Sequence, residues 1–198
     1  MVGKRRNSPD RDVISLRQRV IACALLGMIS GVISTIGIIP FSPPGDFVLL
    51  LIFFLPGLVF GLIIGSALAY GGWLRIARIV PWMVAATFGH LIAALCLAAM
   101  TWRLREALST TDESATLIAA TLAGTLGGGI LAGGNRLLVP GAGWIVPTIV
   151  GGVLAPLVAL HDAGPFLGRL LFYVIWQAGY AAALAAALPK PQRAHKTL

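Results

Sequence analysis

The sequence predicts an all-α, polytopic membrane protein, a compact Gly/Ala-rich bundle of about six transmembrane helices, and three observations predict it. Hydrophobic residues fill 58% of the 198 positions, mean hydropathy is +0.89, and only 11% of residues are charged, against roughly 25% in soluble domains. The charges are segregated, leaving apolar stretches close to the ~20 residues that cross about 30 Å of hydrocarbon. Within those stretches small residues recur every four positions, the pattern that lets helix backbones approach each other in lipid. A basic N-terminal tail (1–19), a six-helix domain (20–189) and a basic C-terminal tail (190–198) account for the chain, leaving no room for a separate soluble domain.

The first span, 20–39, carries no charge and follows Lys4, Arg5, Arg6, Arg11, Arg17 and Arg19. The apolar run is too long for a signal peptide, and Pro40-Phe41-Ser42-Pro43-Pro44 replaces a small-residue cleavage site, so it reads as a retained span. The second, 47–70, holds Pro56-Gly57 near its middle. The third covers 81–102, the fourth 115–139, the fifth 144–160 and the sixth 166–188. Only Pro140-Gly141-Ala142-Gly143 separates the fourth from the fifth, so these two read either as full spans or as a re-entrant pair.

Orientation follows from Lys and Arg. With the N-terminus inside, the cytoplasmic side receives the six residues above plus Arg75, Arg78, Arg136, Lys190, Arg193 and Lys196, twelve in all. The opposite side receives three: Arg103, Arg105 and Arg169. The bias predicts both termini in the cytoplasm and residence in the plasma (cytoplasmic) membrane. Because the net charge of +8 lies in these flanking clusters, it points to a lipid bilayer rather than to nucleic acid. Trp73, Trp82, Trp102 and Trp144 fall near span ends, where indoles favour the interface. Cys23 and Cys96 fall inside spans and read as small buried hydrophobes.

The small-residue rows are Gly57, Gly61, Gly65 and Ala69 in the second span, and Gly27 and Gly31 beside Ser30 and Ser34 in the first. The third has Ala85, Gly89 and Ala93. The fourth has two adjacent rows, Ala120, Gly124, Gly128, Ala132 and Thr121, Thr125, Gly129, Gly133. These faces are expected to pack the bundle, or to dock a membrane partner subunit or a second copy. The six glycines between Gly124 and Gly134 lack the Lys-Ser or Lys-Thr ending of a phosphate loop.

The candidate substrate-binding residues lie in the third and sixth spans. His90 sits near the middle of the third, a depth at which an ionisable group needs a partner or a wet cavity. Arg169, Tyr173, Gln177 and Tyr180 follow spacings of about four, four and three, which puts them on one helical face with Trp176 beside them. The bland alternatives are a packing imidazole, a snorkelling arginine and an interhelical amide. His161-Asp162 reads as a solvated loop, since no further His or Cys lies nearby. Arg103, Arg105, Glu106, Asp112 and Glu113 read as a charged cap. The spans contain no Asp or Glu, which argues against an embedded carboxylate or metal enzyme. No catalytic residue, metal or cofactor is assigned.

A short internal match relates Pro56 to Gly61 (PGLVFG) and Pro147 to Gly152 (PTIVGG), 91 positions apart. Three-span repeats of this kind would be inverted and would place a site near the midplane. In length, six spans, cytoplasmic termini and a small-residue first span, the chain is similar to the substrate-binding subunits of energy-coupling-factor vitamin transporters. That likeness is architectural and rests on no matched motif. The leading expectation is a small transport or solute-binding subunit with a site between spans three and six. A non-catalytic scaffold or assembly subunit is the alternative, and the small-molecule ligand is unspecified.

Overall fold

The computed structural model describes residues 15–38, 46–108, 111–164 and 166–189. Most of the two tails and the Pro40–Pro44 run lie outside them, as do the side chains of Asp112, His161 and Asp162. Six α-helices follow in order: α1 (Leu16–Ile38), α2 (Asp46–Tyr70), α3 (Ile79–Leu108), α4 (Asp112–Leu138), α5 (Ile145–Leu154) and α6 (Leu167–Ala186). A 3-10 turn, Ile76–Arg78, leads into α3, and a 3-10 run, Ala155–Ala163, continues α5. No strand occurs among the described residues.

Five of these segments are long and apolar enough to cross a membrane; α5 with the start of its extension is a shorter apolar helix. A 3-10 helix rises about 2.0 Å per residue against ~1.5 Å in an α-helix, so the nine residues after Leu154 reach as far as about twelve α-helical ones. The outward surface suits lipid. Ile21, Leu25, Met28, Ile29, Val84, Leu95, Leu122 and Val153 are all exposed, an apolar display that a water-facing monomer rarely tolerates.

Each helix packs on its neighbours in the chain, and α1 closes the ring against α6. At the end where α1 begins, termed basal here, Arg19 donates from both terminal nitrogens to the carbonyls of Pro189 and Leu188, each at 3.2 Å. The Trp73 indole N–H donates to the same Pro189 carbonyl at 3.0 Å, and the Arg19 guanidinium lies over the Trp73 ring at 5.4 Å. Arg78 donates to the Leu138 carbonyl at 2.9 Å, capping α4. Basic residues at the basal end thus satisfy the carbonyls that helix C-termini leave unpaired. Gly141, at φ 82°, supplies the left-handed residue that the tight turn after α4 requires.

The glycine rows face inward to other helices of the same chain. A Cβ added to Gly31 would stand 2.7 Å from the Val174 Cα of α6, and Gly27 meets Gln177 and Ala178. On α2, Gly57, Gly61 and Gly65 meet Thr87, Met83 and Trp82 of α3. Gly124 and Gly128 meet Gly151 of α5, and Gly152 of α5 meets Thr125 from the second α4 row. The face of α4 that meets α3 was not among the predicted rows: Gly127 approaches Gly89 and Ala93, and Gly134 approaches Ala85. Gly133 faces open space.

The packed core lies in the basal half, where Phe60, Ile64, Trp82, Leu131, Tyr180 and Leu184 are buried together. Trp82 corrects the interfacial expectation. It is 0% exposed, because Gly65 has no side chain and leaves a slot for the indole. Trp102 and Trp144 remain exposed. The short internal match is not carried into the architecture, since Pro56 lies mid-helix in α2 whereas Pro147 is the third residue of α5.

Candidate functional site

The distal half is hollow. A cavity of about 330 Å³ lies between α3, α4 and α6, closed further by Phe53 of α2 and by Ala155 and Val158 of the 3-10 run. Its walls follow helical periodicity. His90, Ala93, Ala94, Leu97 and Ala98 form one stripe of α3, Ala120, Ala123 and Gly124 one stripe of α4, and Phe172, Tyr173 and Trp176 one stripe of α6. On α3 these residues run from mid-helix toward its C-terminal end; on α4 and α6 they lie in the first half. The hollow therefore lies in the half away from the basal end.

His90 reaches the cavity because Gly57 opposes it: a Cβ there would lie 2.9 Å from the His90 Cβ. The imidazole packs among aromatic rings, its centroid 6.1 Å from Tyr173 and 6.3 Å from Trp176. Trp176 stacks on Tyr180 at 5.5 Å, and Phe60 meets both rings from α2. The Tyr180 hydroxyl donates to the Gly128 carbonyl at 2.6 Å, which ties this floor to α4. A separate void of about 10 Å³ lies between Phe60, Ala86, Gly127 and Leu131, space for one water at most.

Of the six candidate residues, the structure brings His90, Tyr173 and Trp176 together on the cavity wall. Tyr180 lies beneath them. Gln177 turns the other way: it is fully buried, and its amide Nε2 donates to Ser34 Oγ on α1 at 3.3 Å. Arg169 is exposed and is not part of the cavity wall. The spacing of the stripe is helical, yet a helix between two neighbours turns part of any such face toward each. Sequence reasoning overlooked Phe53, Phe172, Ala94 and Ala98, and read Ala93, Ala120 and Gly124 only as helix-packing positions. The signal was present, since Ala93, Ala94, Leu97 and Ala98 stand three, four, seven and eight positions after His90.

The site is apolar with a few polar groups, and it carries no fixed charge among its lining residues. Among the described residues, no cluster of three His, Cys, Asp or Glu could hold a metal ion. Cys23 and Cys96 are both free thiols. The sequence matches no family model, and comparison with curated proteins and with solved structures returns no similar chain.

Proposed function

We propose that this protein is a small transport or solute-binding membrane subunit whose ligand occupies the distal cavity. The observation that supports the reading is the distal cavity itself: about 330 Å³ of space inside the bundle around His90, Tyr173 and Trp176, whereas the larger basal space, about 570 Å³ between α1 and α2, is a more open surface groove. Binding sites in proteins span roughly 300–1,000 Å³, mostly apolar with a few placed polar groups. With the basic basal end in the cytoplasm, as the charge bias favours, the cavity faces the extracytoplasmic side of a plasma membrane. The scaffold reading relied on small-residue faces for docking, and most of those glycines contact helices of their own chain.

The test is native mass spectrometry of protein purified from membranes, comparing the wild type with Ala94→Phe, which fills the cavity from α3. A small molecule bound to the wild type and lost from the variant, at equal melting temperature, is the expected result. A wild type that carries nothing, or a molecule retained equally by the variant, overturns it.

A further inference from the structure

From the walls of this cavity we infer the ligand class: a neutral, planar, two-ring aromatic molecule bearing a hydroxyl or carbonyl group. This rests on the proposed binding role of the cavity and adds its chemistry. Three observations carry it.

First, the lining is aromatic and small. Phe53, Phe172, Tyr173 and Trp176 contribute rings, and most of the remaining lining is alanine and glycine from α3, α4 and the 3-10 run. Methyl-sized side chains leave room beside the rings, and an aromatic ligand entering it stacks on them at the usual ~4.5–7 Å centroid spacing. A cavity of about 150 Å³ admits benzene, so about 330 Å³ takes two fused or linked rings.

Second, three polar groups are left for a ligand. The His90 imidazole, the Tyr173 hydroxyl and the Trp176 indole N–H form no hydrogen bond among the described residues, and none of them is among the sealed, unsatisfied buried atoms. They cluster across the α3–α6 side of the cavity, with the His90 ring within 6.3 Å of both partner rings. A neutral imidazole offers one donor and one acceptor, the phenol offers both, and the indole donates only. A hydroxyl or carbonyl on the ligand edge satisfies such a set. An acyl chain leaves all three unpaired, which is costly in an apolar site.

Third, nothing in the wall neutralises an ion. Arg169 lies outside the wall and no carboxylate lines it, so a fixed charge on the ligand would enter unpaired at a large desolvation cost.

The experiment uses the full chain in phosphatidylcholine nanodiscs and four probes: 1-naphthol, naphthalene, naphthalene-1-sulfonate and decan-1-ol. Saturable binding is read by isothermal titration, with Ala94→Phe nanodiscs as the reference for partition into lipid. The class predicts that 1-naphthol binds at least about tenfold tighter than naphthalene or decan-1-ol, and that the sulfonate shows no saturable binding. His90→Leu and Tyr173→Phe should each weaken 1-naphthol by about tenfold, or ~1.4 kcal/mol, while leaving naphthalene within twofold. The naphthalene value shows whether either variant keeps its cavity. Equal affinity for naphthol and naphthalene, sulfonate binding as tight as naphthol, or decan-1-ol binding tightest overturns the aromatic class and leaves a binding cavity in place. Absence of saturable binding by all four probes overturns the class and the cavity reading together.

Discussion

Trp176 stacks on Tyr180 with centroids 5.5 Å apart and planes 16° from parallel, and Tyr180 in turn donates to the Gly128 carbonyl at 2.6 Å. An aromatic wall of the cavity is therefore fixed by a bond made one turn below it, on a different helix. Tyr180→Phe keeps the stack and removes the bond. It should cost about 0.5–1.5 kcal/mol, read as a lower melting temperature in detergent, and should weaken any cavity ligand modestly. An unchanged melting temperature would show that the bond does not hold α6 to α4.

Gln177 stands one residue after Trp176 and serves a different interface. Its amide reaches Ser34 across the α1–α6 contact, so Gln177→Leu should lower stability by about 0.5–1.5 kcal/mol without changing 1-naphthol affinity. Loss of ligand at full stability would return Gln177 to the cavity wall.

The glycine rows predict an asymmetry between two positions. A Cβ on Gly61 would lie 2.7 Å from the Met83 Cα, whereas one on Gly133 meets nothing within 4 Å. Gly61→Leu should overpack the α2–α3 contact at a cost of about 1–3 kcal/mol and reduce folded yield in detergent. Gly133→Ala should match or exceed wild-type stability, since alanine is the better helix former. Equal melting temperatures for the wild type and Gly61→Leu would place that face of α2 against lipid.

Arg19 serves as a capping group as well as a positive charge beside a span. Arg19→Lys preserves the charge that biases orientation but loses the planar fork that reaches two carbonyls and covers Trp73. The variant should insert as the wild type does and melt at a lower temperature. A melting temperature equal to wild type would reduce Arg19 to its charge.

The orientation itself is tested with single cysteines in a Cys23→Ala, Cys96→Ala background. Cysteine at Ser109 should react with an impermeant thiol reagent in intact cells, and cysteine at Ala194 only after permeabilisation. The opposite pattern would invert the protein, and with it the side from which the cavity is reached.

The sequence by itself determined the class of fold, the number of helices and the rows of small residues, because these depend on local properties. Charge-free length sets a span, and spacing by four sets a helical face. The same spacing placed Arg169, Tyr173, Gln177 and Tyr180 on one face of α6, and that face exists. What it does was decided only by tertiary structure. α6 sits between α1 and α5 in a closed ring, so a face about a hundred degrees wide is divided among different neighbours. Gln177 meets α1, Tyr180 meets α4, and Tyr173 with Trp176 meets empty space beside His90. The cavity was equally out of reach of a linear reading. It arises where alanines of three segments and four aromatic rings come together from different helices, and several close glycine contacts, Gly57 with His90, Gly31 with Tyr173 and Gly124 with Ala155, fall on residues of its own lining.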